Sequence, residues 1–261
     1  MRFVKYSSNG NDFLITTTHT LNDSSRAQLA QRVCERHNGI GADGMVVVIP
    51  THNTPYSYQW DFYNADGSLA AMCGNASRSV GHYAYMEGIA PKQHSFLTQA
   101  GIIRIHIDEQ RDTLVQSDLG AYKILEEHII ESNPYGVDSW ALLDSGVPHL
   151  VGFVKDRKAL TYKKDTLLAH LRQAYNANIN LAFADTDKIF YMTYERGVED
   201  ITEACGTGAA AVFALALNNQ LCQNPTTLIP PSNEPLTLAM SEHNHILLQG
   251  EVKRIALCEW L

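Results

Sequence analysis

Cysteine is scarce and unpaired in this chain. Cys34, Cys73, Cys205, Cys222 and Cys258 are five among 261 residues, and no two of them stand in a Cys-x-x-Cys spacing. An odd number at wide intervals excludes a disulfide framework and a thiolate zinc site. Long apolar runs are also missing. No segment approaches the ~20 apolar residues of a spanning helix. Residues 1–6 lack a long apolar run before polar residues begin, so neither a leader nor an anchor is expected there, and a cytoplasmic protein with no membrane partner is expected. Basic clusters are lacking as well, and the formal net charge of −8 argues against nucleic acid as a partner. What remains is 45% hydrophobic and 18% charged, the balance of a globular enzyme long enough for one large domain or two modest ones.

Two stretches stand out. Asn64-Ala65-Asp66-Gly67-Ser68 runs through Met72-Cys73-Gly74-Asn75 into small residues, and Thr202-Glu203-Ala204-Cys205-Gly206-Thr207-Gly208 runs into Ala209-Ala210-Ala211. Each reads as a loop, then Cys-Gly, then an apolar helix. That places a thiol beside backbone N–H groups without helical partners and at the positive end of a dipole, a setting that favours thiolate and holds an anion. Cys34 lies within a helical pattern and Cys258 within a strand pattern, as small buried apolar residues do.

The order of parts around the two Cys-Gly stretches repeats. Residues 3–17 read as two strands about a Ser-Ser-Asn-Gly-Asn-Asp turn that holds Asn11, a residue whose common use beside glycine is turn-making. Ser24 and Ser25 are expected to cap a helix reaching about His37. Gly39-Ile40-Gly41-Ala42-Asp43-Gly44 precedes a doubly buried strand at 45–49, so the dinucleotide fingerprint fails on context. An alternating strand at 58–63 leads to Cys73, and a helix from 74 to about 87 should end at Gly88. After strands at 94–98, 102–108 and 113–117, the second half repeats the series. It has a turn at 144–149, a helix at 165–175, strands at 178–183 and 189–194, and a helix from 207 to about 220. Val147 stands 136 positions after Asn11, and Cys205 stands 132 after Cys73. This near-constant offset indicates internal duplication. The domains expected are 1–117, completed by a last strand at 251–261, and 118–250, with further strands near 226–229, 236–240, 246–249 and 252–258.

Two equivalent halves would offer two thiols to one substrate, one removing a proton from carbon and the other delivering one to the opposite face. A thiol serves both roles because its pKa is close to neutrality. The carbanion of an amino acid would be stabilised by helix starts holding its carboxylate at Gly74, Asn75, Gly206 and Thr207. Read locally, His149 and the strand-end Glu195 are structural or solvated groups. Arg196, turned by Gly197, is either a carboxylate clamp or a surface arginine.

The motifs resemble those of the diaminopimelate epimerase family. They are Ser-Asn-Gly-Asn-Asp-Phe at 8–13, Gly-Ile-Gly-Ala-Asp-Gly at 39–44, Phe-Tyr-Asn-Ala-Asp-Gly-Ser at 62–68 and Met-Cys-Gly-Asn-Ala-Ser-Arg at 72–78, followed by Val-Pro-His at 147–149, Asn-Ile-Asn at 178–180, Tyr-Glu-Arg-Gly-Val-Glu-Asp at 194–200 and Ala-Cys-Gly-Thr-Gly at 204–208. The blocks run in family order over nearly the whole chain. The resemblance implies an α+β fold of two pseudo-symmetric domains, each a curved mixed or antiparallel sheet wrapped around a central helix. It implies a small-molecule substrate, interconversion of LL- and meso-diaminopimelate in lysine and cell-wall synthesis, and no cofactor or metal. It leaves a homodimer open.

By the same resemblance Cys73 and Cys205 are proton donor and acceptor, and His149 and Glu195 assist them. Asn11, Asn64, Asn178, Glu195 and Arg196 contact substrate, with Gly74-Asn75 and Gly206-Thr207 cradling its carboxylate. The chain departs from the family at Val147, where many members carry asparagine, and at Gly44, near which some carry glutamine. A racemase of another amino acid such as histidine or proline is the alternative within this fold. An amino-acid-binding protein or a cysteine hydrolase is the alternative outside it, though neither needs two cysteines.

Overall fold

A computed structural model describes residues 1–20 and 23–261. The chain divides into two compact units, one formed by Met1–Ser117 with Gly250–Leu261 and the other by Asp118–Gln249. The first unit contains β1 (Arg2–Ser8), β2 (Asn11–Thr17), α1 (Arg26–Cys34), β3 (Gly44–Pro50), β4 (Tyr58–Asn64), α2 (Gly74–Met86), β5 (Gln93–Thr98), β6 (Gly101–Ile107) and β7 (Leu114–Asp118). The second contains β8 (Lys123–Ile129), β9 (Trp140–Asp144), β10 (Pro148–Phe153), α3 (Thr166–Tyr175), β11 (Asn178–Ala184), β12 (Lys188–Glu195), β13 (Asp200–Ile201), α4 (Gly206–Asn218), β14 (Thr226–Ile229), β15 (Leu236–Met240) and β16 (Ile246–Glu251). The chain then returns to the first unit with β17 (Lys253–Glu259), which pairs antiparallel with β1 from Arg2↔Glu259 to Ser7↔Lys253.

Strand pairing repeats as the sequence does. In the first unit β1 and β2 are antiparallel, β2 and β3 parallel, β3 and β4 antiparallel, β4 and β5 parallel, and β5 and β6 antiparallel. The second unit gives the same series with β9–β10, β10–β11, β11–β12, β12–β14 and β14–β15. In each unit the first parallel pair is joined through a short helix, α1 or α3, and the second through a long one, α2 or α4. The long helices have the same length, 13 residues.

The hairpin between β1 and β2 turns on Asn9 and Gly10, whose φ values of 51° and 89° make the paired left-handed turn that Asn-Gly favours. This sets Asn11 as the first residue of β2, opposite Ser8. In β3, Met45, Val47 and Ile49 pack with Ala30, Val33 and Cys34 of α1. Val46 and Val48 face Ala76, Val80 and Ala84 of α2. The strand is thus buried on both faces, as its unbroken apolar run implies. Helix α4 is apolar all round, and Ala209 through Ala216 are buried beneath β9–β12, β14 and β15.

Three details differ from the sequence expectation. Helix α1 starts at Arg26, and Ser25 makes no side-chain cap bond; the Asp23 carboxylate instead accepts from the Ser25 N–H at 2.9 Å and the Ser25 hydroxyl at 2.6 Å. The helix also stops at Cys34 rather than His37, because Glu35 is extended and its carboxylate turns back to accept the N–H groups of His37 and Asn38. Strand β8, with Lys123, Glu126 and Glu127, lacks the alternating burial by which strands are recognised, so its polar sequence conceals it.

Candidate active site

Both cysteines singled out by sequence occupy the N-cap position of a long buried helix. Cys73 caps α2 with φ −149° and ψ 126°, and Cys205 caps α4 with φ −117° and ψ 113°. Neither side chain caps its helix. The first intrahelical bonds run from the Ser77 N–H to the Cys73 carbonyl and from the Ala209 N–H to the Cys205 carbonyl, each at 2.9 Å. The three N–H groups that follow each cysteine lie ahead of the first i→i−4 bond, the part of a helix suited to an anion. Cys34 is different, since burial pushes its thiol up to about 12, as befits an inert core residue.

In the first unit the helix start is braced from within. Arg78 is fully buried one turn into α2, where helical spacing points it back toward Gly74 and Asn75. Its Nη1 donates to the Gly74 carbonyl at 3.2 Å, and its Nη2 donates to Asn75 Oδ1 at 2.7 Å and Asn9 Oδ1 at 2.5 Å. Asn75 Nδ2 donates to Asn11 Oδ1 at 2.7 Å, and Asn11 Nδ2 donates to Asp43 Oδ2 at 3.1 Å. Asn64 stands apart from this series, its Nδ2 donating to Ser68 Oγ at 3.0 Å. At Gly44, paired with Asn64 across β3 and β4, an added Cβ would meet the Phe62 ring at 2.7 Å and the Tyr63 carbonyl at 2.8 Å. The aromatic ring occupies the space a side chain at 44 would need.

In the second unit five predicted residues come together. His149 on β10 lies opposite Asn178 in the parallel ladder with β11, and its ring is fully buried. His149 Nε2 is 3.0 Å from Thr207 Oγ1, and Thr207 Oγ1 is 3.5 Å from Cys205 Sγ. Asn178 Nδ2 donates to the Pro148 carbonyl at 3.2 Å, while its Oδ1 accepts the Arg196 N–H at 2.8 Å. The Arg196 guanidinium is tied to the Asn176 carbonyl at 2.9 Å, and Gly197 turns the chain after it with φ 92°. Burial raises the Glu195 carboxyl above its ordinary range, with Thr202 working against that shift. Among the described residues no group of three or more His, Cys, Asp or Glu could hold a metal ion.

Sequence reasoning assigned no role to Asn180 and Thr193. Asn180 Nδ2 is 3.0 Å from His149 Nδ1, and Thr193 Oγ1 donates to Asn180 Oδ1 at 2.7 Å across the β11–β12 register. Asn180 was legible in principle, since it lies two residues from Asn178 and so on the same face of the strand. Thr193 carries no local signal. It was likewise silent on Asp43 and Arg78, which close the first-unit series at its two ends.

His149 gives a stability prediction. Burial lowers its imidazole from 6.5 to about 3, and the Arg196 charge adds to the shift. The folded ring thus binds a proton more weakly than the unfolded one. Its contribution is complete above pH 6.5 and drains as pH falls toward 3. Urea unfolding at pH 7 and pH 5 should show about 2 kcal/mol more acid destabilisation in the wild type than in His149→Gln, at ~1.4 kcal/mol per pH unit. Equal losses in both proteins would refute the assignment of a buried neutral ring.

The fold and the paired Cys-capped helices define a class, a two-unit α+β fold with one Cys-capped helix in each unit. Solved structures with this fold include an epimerase from Pseudomonas aeruginosa (TM-score 0.76, 14% identity, covering 100% of this chain and 99% of that one), described there as predicted. Another is a probable proline racemase from Agrobacterium radiobacter K84 (TM-score 0.73, 14% identity, 100% and 92% covered). The diaminopimelate epimerase profile matches residues 3–125 and 141–255, and the chain belongs to that family. The diaminopimelate epimerase of Helicobacter pylori strain P12 is 48% identical, with 98% of this chain and 96% of that protein covered. Those of Nitratiruptor sp. and Campylobacter jejuni strain NCTC 11168 are 44% and 40% identical, with 98% and 97% of this chain and 96% of each relative covered.

Proposed function

We infer that this chain interconverts LL- and meso-diaminopimelate without a cofactor, in the supply of lysine and peptidoglycan precursors in the cytoplasm. The observation that carries the reading is the pair of Cys-capped helix starts, alike in backbone and placed at equivalent points of the duplicated pairing pattern. In this reading Cys73 and Cys205 act on opposite faces of one α-carbon. A thiolate removes the α-proton, and the other thiol protonates the planar carbanion from the far side. The N–H groups of Gly74-Asn75 and Gly206-Thr207 bind the α-carboxylate and take up the charge that develops on it.

His149 and Glu195 assist the proton transfers, while Asn11, Asn64, Asn178, Glu195 and Arg196 hold the rest of the substrate. The amides of Asn11, Asn64 and Asn178 have more donor and acceptor capacity than the bonds named above use. Arg196 retains donors beyond its bond to Asn176 and suits a distal carboxylate. The side chains at Val147 and Gly44 offer that end no hydrogen bond, so the distal group is held by fewer side chains, at roughly 1 kcal/mol per absent bond.

Incubating the purified enzyme with LL-diaminopimelate in D₂O should yield the meso isomer carrying solvent deuterium at one α-carbon. Inactivity on diaminopimelate alongside racemisation of histidine or proline would reject the substrate. Inversion without deuterium uptake would reject the proton-transfer mechanism.

A further inference from the structure

We propose that Asn180 and Thr193 are positioning residues that lock His149 as the Nε2–H tautomer and so turn the Thr207 hydroxyl toward the Cys205 sulfur. The inference rests on the acid–base role given to Cys205 above.

The direction of each hydrogen bond follows from the groups that can only donate or only accept. The Leu150 carbonyl, an acceptor, lies 3.4 Å from Asn180 Nδ2 and holds the NH₂ side of that amide in place. The Thr193 hydroxyl donates to the other side, Asn180 Oδ1, at 2.7 Å. Asn180 therefore presents an N–H to His149 Nδ1 at 3.0 Å, and Nδ1 must be the bare, accepting nitrogen. The proton of the neutral ring then sits on Nε2, which faces Thr207 Oγ1 at 3.0 Å, with Asn178 Nδ2 farther away at 3.5 Å. Thr207 accepts from histidine, so its own hydrogen is not needed there. Cys205 Sγ lies 3.5 Å from Oγ1, within reach of that hydrogen. A hydroxyl that donates to sulfur favours thiolate over thiol. No proton travels along this series; it fixes only which form of the sulfur is preferred.

The helix is built to admit the arrangement. Gly208 occupies the third position of α4, where an added Cβ would lie 2.6 Å from both Asn180 Oδ1 and Thr193 Oγ1. Asn180 and Thr193 are both fully buried and share a register pair, so the amide has little freedom to flip.

The test combines two readouts that a purely structural role would leave unchanged. In ¹⁵N-histidine-labelled protein, with the resonances of this ring assigned from their loss in His149→Gln, the wild type should show Nδ1 bare and Nε2 protonated. Iodoacetamide modification of Cys205, followed by peptide mass spectrometry at pH 7, should slow about tenfold in Thr193→Val and Asn180→Leu. Both variants should also lose the single tautomer. Thr193→Ser keeps the hydroxyl and should match the wild type in both readouts. A proton on Nδ1 in the wild type overturns the proposal, and so does an unchanged tautomer and alkylation rate in Thr193→Val. The wild-type spectrum decides the tautomer even if a variant fails to fold. If diaminopimelate is not epimerised while tautomer and thiol reactivity respond as stated, the positioning role stands and the functional reading falls.

Discussion

Replacing either Cys73 or Cys205 by alanine is expected to lower kcat/KM for diaminopimelate by at least ~10³-fold, since in the proposed mechanism each residue supplies one of two obligatory proton transfers. The double variant should be little worse than either single one, because groups that act as a unit do not lose their effects additively. Binding should survive. The backbone N–H groups that follow each cysteine are set by the helix start, and neither side chain caps its helix, so removing the sulfur leaves the carboxylate cradle standing. Isothermal titration against steady-state kinetics separates the two effects. A single variant retaining activity within tenfold of the wild type would dismiss the two-base mechanism.

The second large effect concerns stability. Arg78→Met is expected to cost roughly 3 to 5 kcal/mol, because it removes a charged donor from three buried acceptors at once: Asn9 Oδ1, Asn75 Oδ1 and the Gly74 carbonyl. The loss should spread. Arg78 can only donate and the Asp43 carboxylate can only accept, so the two ends of the series determine which way the Asn75 and Asn11 amides face. Arg78→Lys keeps the charge but not the planar fork, and should recover only part of the stability. Chemical denaturation gives the comparison, and a change below 1 kcal/mol in Arg78→Met would contradict this account.

Much of this was legible in the sequence for physical reasons. Cys-Gly before an apolar run marks a helix start, and Gly88 does take the left-handed conformation that ends α2, with φ 69°. The doubly buried strand was legible from Met45-Val46-Val47-Val48-Ile49, and the duplication from its near-constant offset. The strand β8 was not, because a strand whose side chains are mostly exposed has no pattern to read. The partners of the candidate site were hidden for another reason. Thr193 meets Asn180 through strand register, and Asp43 meets Asn11 because β3 lies beside β2. Such meetings belong to the tertiary fold and not to any stretch of residues. The resemblance supplied His149 and Glu195, which local sequence alone would have left as structural.

The pairing of β17 with β1 bears on how the molecule is made. The first unit is discontinuous in the chain, and Asp118–Gln249 is synthesised in full before the strand that lies along β1. As the nascent chain lengthens, β1 waits with one edge open while the later, contiguous unit can already collapse on its own local contacts. The usual order of folding during translation, N-terminal part first, is thereby reversed for completion. Closing the β1–β17 ladder draws together residues more than 200 positions apart, the slow, non-local kind of contact. Until that happens the first unit carries an exposed strand edge, and chaperone contact and misassembly should concentrate there.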